Sequence, residues 1–311
     1  MKKQTIIMAL LLALCLPAWA QKEYKVAEPS GKLYLNLNGA RIEGYTGNEI
    51  VFRSKGVPEE EDERAKGLQA LSSSGFTDNT GLGISVTKKG GDIEVNPVGN
   101  SSRGDILYVR VPNTVDIVFN NNKSIFADTL LIKNMKGEIE VSSSYNAIVL
   151  ENNSGPMNIK NVYKNIEATF ANDIKGPISI ISVYGHVDVA MPASTSANLT
   201  MGTSYGKLYA ASDFNVAITP KAVDDERAAV KIPDRVTEYD GMRVKVTEGV
   251  GVPLDSLSKI VMSVPPSSGT GISIARIFSG GLGENIEGTI NGGGVDLILK
   301  STYKNVYLRT D

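Results

Sequence analysis

The chain has 311 residues, 41% of them hydrophobic, with 32 Lys and Arg against 34 Asp and Glu. That length and apolar content can bury a sizeable core in one domain or two, and the near-balanced charge excludes bulk electrostatic capture of nucleic acid or of an anionic membrane. Glycine is abundant at 31 residues and aromatics stand at 6%, which suits strands joined by tight turns and predicts an all-β protein.

The opening stretch, MKKQTIIMALLLALCLPAWAQ, has a basic start at Lys2 and Lys3, an apolar run from Ile6 to Leu16 and small residues at Ala18 and Ala20. This pattern predicts a secretory signal peptide over residues 1–20, cleaved to leave Gln21 first. The apolar run is too short to span a bilayer, and no later segment approaches the ~20 apolar residues of a membrane helix. The expected location is therefore extracytoplasmic: periplasm, outer-membrane surface or secreted. Lipoprotein processing at Cys15 is the alternative, but it prefers a small residue where Leu14 stands. Cleavage after Ala20 removes the one cysteine, and with it disulfides, thiol catalysis and thiolate metal sites.

Strands are predicted from Leu33 onward, where Leu33, Leu35 and Leu37 alternate with Tyr34 and Asn36 before the Asn38-Gly39 turn. Ile42 and the group Ile50-Val51-Phe52 mark the next two. An insertion near residues 53–80 holds the one helical candidate, Pro58 through Leu71: Pro58 can open a helix, Glu fills four of the next five positions, and Ala65, Leu68 and Leu71 share a face. Its acidic cluster reads as a solvated first turn favoured by the helix dipole, against the alternative of a cation site.

From Ile106 the pattern repeats. Alignment on Gly137, Gly155 and Gly176 gives GEIEVSSSY, GPMNIKNVY and GPISIISVY, each eight residues from glycine to tyrosine. A second alternating segment follows each tyrosine, and Tyr145, Tyr163, Tyr184 and Tyr205 recur at intervals of 18, 21 and 21. A period near 20 with two short strands and two turns predicts a parallel β-solenoid, in which one coil cannot bury its apolar face until neighbours stack on it. Ile139 with Val141, Met157 with Ile159 and Ile178 with Ile180 would form one inward ladder. Ile148 with Leu150, Ile166 with Ala168 and Val187 with Val189 would form the other. YKNV at Tyr303 reads as the same corner in the last coil. The expected organisation is one solenoid domain over residues 21–311, with a second insertion near 220–258; a β-sandwich also fits short alternating strands.

The segments AKGLQAL and DNTGLGISV, the Tyr-Gly-x-Leu-Tyr element at Tyr205 to Tyr209 and the closing INGGGVDLILKSTYKNVYLR resemble the secreted bacterial β-strand-repeat family of adhesin-like proteins of unknown function. The resemblance covers nearly the whole mature chain. It implies a β-solenoid-like fold and an extracytoplasmic role, and it brings no catalytic residues. After the aromatic of the last corner this chain has Lys304-Asn305, where the family usually shows glycine.

Candidate chemistry is sparse. His186, the one histidine, should point outward beside the inward Val187. No Gly-x-Ser-x-Gly elbow is present. GGLGEN at Gly280 and NGGG at Asn291 lack the features of phosphate or dinucleotide loops and read as turns. Asp224-Asp225-Glu226 and Asn120 to Asn122 lack a calcium-loop spacing. No cofactor or metal site is expected, nor catalytic residues. The sharpest candidate surface is the tyrosine row, Tyr145, Tyr163, Tyr184 and Tyr205, expected at one corner in successive coils. It is either a buried ladder whose hydroxyls reach turn carbonyls, or an exposed strip contacting sugars or a partner's side chains. The expected function is a non-enzymatic exported envelope or surface protein binding a glycan or protein. A polysaccharide-acting enzyme on a β-helix and a purely structural envelope component are the alternatives.

Overall fold

In the computed structural model, the described residues are 22–27, 31–54, 75–99, 106–122, 127–170, 173–220 and 283–311, with the single residues 64 and 68. The predicted signal peptide, most of the predicted helix, and Asp224-Asp225-Glu226 lie outside them. The described residues from Met1–Pro220 and Gly281–Asp311 belong to one compact unit.

Twenty-one strands lie among its described residues. The N-terminal group is β1 (Glu23–Ala27), β2 (Leu33–Leu35), β3 (Ala40–Tyr45), β4 (Glu49–Ser54), β5 (Ile84–Lys89), β6 (Asp92–Pro97) and β7 (Leu107–Pro112). The central group is β8 (Ile117–Asn121), β9 (Leu130–Lys133), β10 (Ile139–Ser143), β11 (Ile148–Asn153), β12 (Met157–Asn161), β13 (Ile166–Phe170), β14 (Ile178–Ser182) and β15 (Val187–Met191). The C-terminal group is β16 (Ala197–Thr203), β17 (Leu208–Ala210), β18 (Val216–Ile218), β19 (Glu284–Ile290), β20 (Val295–Ser301) and β21 (Val306–Thr310).

The strands form two large, mostly parallel sheets. A ten-stranded sheet, A, runs β1-β4-β7-β3-β9-β11-β13-β15-β21-β17, and an eleven-stranded sheet, B, runs β18-β19-β16-β20-β14-β12-β10-β8-β2-β6-β5. From β8 to β15 successive strands go alternately to sheet B and sheet A, so each sheet grows by one parallel strand per pair. The side-chain period of two then fixes the core. Ile139 pairs with Met157 and Met157 with Ile178, while Val141 pairs with Ile159 and Ile159 with Ile180. Opposite them, Ile148, Ile166 and Val187 are in register, as are Leu150, Ala168 and Val189. All twelve are buried in one hydrophobic cluster, as the alternation predicts.

The ends of the sheets depart from a uniform parallel pattern. β1 with β4, β4 with β7 and β5 with β6 are antiparallel at one end, and β16 with β19 and β18 with β19 at the other. The two-residue connection Gly90-Gly91 between β5 and β6 returns the chain directly, and only antiparallel partners can be joined that way.

The repeat glycines act in two ways. Gly176 has φ of 105°, which a residue with a Cβ resists. Gly155 lacks a positive φ; a Cβ there would run into the Gly137 carbonyl, so close approach of stacked turns is its reason.

Candidate functional site

The corner that leads from sheet B to sheet A carries the tyrosines. Each sheet-B strand ends there on a buried polar residue: Ser143, Asn161, Ser182, Ser301 or Thr203. Tyrosine stands two residues later, and the sheet-A strand begins three residues after that. A buried hydroxyl or amide must find partners, and these find them in the turns. The Ser182 hydroxyl accepts from the Gly185 amide at 3.0 Å and donates to the Lys164 carbonyl at 3.2 Å in the neighbouring turn. Ser301 repeats the pattern, accepting from the Lys304 amide at 3.0 Å and donating to the Gly185 carbonyl at 2.8 Å. Thr203 does the same with the Gly206 amide at 2.9 Å and the Lys304 carbonyl at 3.0 Å. The Asn161 amide bridges the carbonyls of Lys164 and Asn146, both at 2.8 Å. Lys304 makes these bonds without a positive φ, so its backbone conformation does not call for glycine at that position.

Turns tied one to the next place their tyrosines at the strand spacing of ~4.7–4.9 Å. Ring centroids lie 4.6 Å apart for Tyr145 and Tyr163, 5.3 Å for Tyr163 and Tyr184, 4.7 Å for Tyr184 and Tyr303, and 5.0 Å for Tyr303 and Tyr205. Their planes differ by no more than 12°. The predicted row is therefore one stack, with one correction: Tyr184 and Tyr205 are not in successive coils. β21 separates β15 from β17, so Tyr303 occupies the row's interior and Tyr205 its end.

The row faces solvent. Tyr163 is 46% exposed and Tyr205 70%, and Tyr145, Tyr184 and Tyr303 are partly exposed. A fully buried ladder is excluded. Inside the stack each ring face is covered by a neighbour, which leaves ring edges and hydroxyls along the strip and an open face at Tyr205. A phenol hydroxyl both donates and accepts, so the strip offers hydrogen bonds at strand pitch. Partial burial and the adjacent phenols raise the pKa of Tyr145 and Tyr184 above the ordinary 10.0, so these two phenols stay neutral at ordinary pH.

A second stack lies on the outer face of sheet A. Tyr209 and Tyr307 stack at 5.3 Å, Arg309 lies 5.0 Å over Tyr307, and Arg309 makes two hydrogen bonds to the Asp188 carboxylate at 2.7 and 2.9 Å. His186 meets the edge of Tyr307 at 6.2 Å and lies 3.8 Å from Glu167. It is partly exposed, as the strand phase predicts. The sequence reading missed this pair, although each member stands four residues after a row tyrosine, in YGKLY and YKNVY.

Among the described residues, no group of three or more His, Cys, Asp or Glu is placed to hold a metal ion, and no helix is long and apolar enough to cross a membrane. A shallow depression lined by Tyr34, Asn36, Lys89, Asp92 and Glu94 lies on sheet B. Both of its acids are engaged: Asp92 accepts from the Lys32 amide at 2.9 Å, and Glu94 accepts from Lys89 at 3.0 Å and from Asn96 at 3.1 Å, which holds the Glu94 pKa below the ordinary value.

No family model and no curated protein matches the chain. Among solved structures it is similar to a "putative cell adhesion protein" from Clostridium sporogenes, at 12% identity over 94% of this chain and 100% of that one, with a TM-score of 0.37.

Proposed function

We propose that the protein is a non-enzymatic, exported envelope or surface protein, adhesin-like in action, whose alternating parallel strands are the coils of a β-solenoid and whose tyrosine row contacts a glycan or protein partner. The observation that carries this reading is the solvent-facing stack of Tyr145, Tyr163, Tyr184, Tyr303 and Tyr205. Tyrosine supplies large, rigid contact area at low conformational cost and is enriched where partners dock. Because the inner ring faces are covered, an extended ligand lies along the hydroxyl edge, and a single sugar ring or aromatic side chain stacks on the open face of Tyr205. Export rests on the basic, apolar and small-residue pattern of residues 1–20.

The test is binding of the full chain to a broad glycan panel and to native envelope extract, repeated with Tyr163→Ala and Tyr184→Ala. Retained melting with lost binding supports a contact surface; lost melting with unchanged binding assigns the row to stability alone. The non-enzymatic part fails if the pure protein depolymerises a polysaccharide and one acidic substitution abolishes that activity without unfolding it.

A further inference from the structure

Three residues stand in register on the outer face of sheet B. β16 has β19 on one side and β20 on the other, and Gly202 of β16 pairs with Asn285 of β19 and with Lys300 of β20. Their neighbours Met201 and Leu299 are buried in the core, so the period of two turns Gly202, Asn285 and Lys300 away from it. An outward lysine should be solvated, yet Lys300 is 3% exposed, and the Asn285 Oδ1 is buried as well.

Gly202 is what brings the two together. Asn285 and Lys300 stand two strands apart, ~9.5 Å at the ordinary spacing, and a side chain on β16 would lie between them. The Cγ atoms of Asn285 and Lys300 each lie 3.5 Å from the point where a Cβ on Gly202 would sit, and the Asn285 Oδ1 would overlap it. The lysine stem thus leans across β16 toward the carboxamide. Glu287 stands two residues from Asn285 on β19, on the same outer face. Burial lowers the Lys300 pKa from the ordinary 10.5, against an opposing pull from Glu287, which fits an ammonium carried over β16 toward β19. Burial also favours the neutral amine, the nucleophilic form of a lysine.

We propose that Lys300 and Asn285 are a modification site, joined by an intramolecular isopeptide bond that locks β19 to β20 across β16. The Lys300 ammonium gives a proton to the Glu287 carboxylate, and the neutral Nζ attacks the Asn285 Cγ. The Nζ–Cγ bond forms and the Cγ–Nδ2 bond breaks. Glu287 relays the protons, so the nitrogen leaves as ammonium with its own two protons and two from Lys300. Nothing is oxidised or reduced. Glu287 is exposed, and the ammonium leaves on its side. The product is a neutral amide where a buried ammonium stood, which removes the cost of burying that charge.

Peptide mapping of the purified full chain tests this. Trypsin does not cut after an acylated lysine, so the peptide that follows Arg276 should run through Lys300 to Lys304 and lack the mass of one ammonia. A protease specific for glutamate should cut after Glu287 and leave the two pieces joined. Lys300→Arg and Asn285→Ala should show neither the missing ammonia nor joined pieces. Gly202→Ala, whose Cβ displaces the end of the Asn285 side chain, and Glu287→Gln, which removes the proton relay, should each leave most of the chain unlinked. Circular dichroism matching the parent shows that these variants fold. The proposal is overturned if the parent is cut after Lys300 and separates at Glu287, or if linkage is undiminished in Gly202→Ala or Glu287→Gln.

Discussion

The ring of Tyr184 stacks on that of Tyr303 at 4.7 Å, and Tyr303 in turn carries Tyr205 at 5.0 Å. Tyr303 therefore has both faces covered, while Tyr205 has one. A stacked aromatic pair adds about 0.5–1.5 kcal/mol beyond its buried area, so Tyr303→Ala should cost about 1–3 kcal/mol and Tyr205→Ala roughly half as much. Equilibrium denaturation of the two variants checks this order. Equal losses would reject the placement of Tyr303 inside the row.

The polar corners should matter as much as the rings. Ser301 is 0% exposed, and its hydroxyl joins the Lys304 amide to the Gly185 carbonyl. Ser301→Ala leaves a buried donor and acceptor with one partner fewer each, a loss of about 1–3 kcal/mol. Ser142→Ala, at a partly exposed position in β10, should fall within about 0.5 kcal/mol of the parent. Thermal unfolding of both variants measures the contrast.

Much of this arrangement is legible in the sequence, for a physical reason. Ile139 and Val141, Met157 and Ile159, and Ile178 and Ile180 keep a period of two at a fixed distance from a glycine and a tyrosine, and both constraints survive folding because register and sidedness are coupled. The place of the C-terminal strands is not legible. Leu297 and Leu199 carry the same phase, so the pattern marks each as part of a strand pair without naming its neighbours; only tertiary pairing decides that order. Ser143, Asn161 and Ser182 stand in plain view two residues before each tyrosine, yet a polar residue ending a strand reads as ordinary turn chemistry. Ser143 closes its own turn onto Asn146, whereas the roles of Asn161 and Ser182 emerge when register brings them beside the carbonyl of another turn.

Inward placement of the central ladder has a direct test. Ile180 is 0% exposed between Ile159 and Leu299, so Ile180→Asp places an unpaired charge in the core, at a cost above about 3 kcal/mol. Ser179→Asp, one residue away with a partly exposed side chain, should stay within about 0.5 kcal/mol of the parent. Circular dichroism and melting of both variants test the alternation; similar melting of the two would reject this register.

Asp78 should shape the acid limb of stability. Burial acts to raise its pKa, but the Thr80, Gly83 and Gly81 amides and the Thr80 hydroxyl outweigh it and hold the carboxyl below the ordinary 3.8. For a depressed carboxylate, the stabilisation is fully present above the unfolded value and is lost as pH falls through the folded one. Asp78→Asn should therefore lower the melting temperature at neutral pH and narrow its deficit against the parent below about pH 4. A deficit independent of pH would assign the effect to packing instead of charge.

The tyrosine row makes the opposite prediction at alkaline pH. Tyr145 and Tyr184 have pKa values raised above 10.0, first by partial burial and then by neighbouring phenols, Tyr163 for the one and Tyr303 and Tyr163 for the other. Deprotonating either of these two sets a phenolate beside the phenols stacked on it, and like charges in contact disfavour one another. Because the folded values of Tyr145 and Tyr184 are raised, the contribution of these two neutral phenols is complete below the unfolded value near 10.0 and disappears as pH rises through the folded values. Tyr163→Phe keeps the stacking surface and removes the shared hydroxyl. Phenolate absorbance should then show the late-titrating phase move down toward the ordinary range, with melting near neutral pH close to that of the parent. A curve that merely loses one phenol, with the late phase unmoved, would mean that the row's hydroxyls do not act on one another, and the strip would then present independent phenols to any ligand.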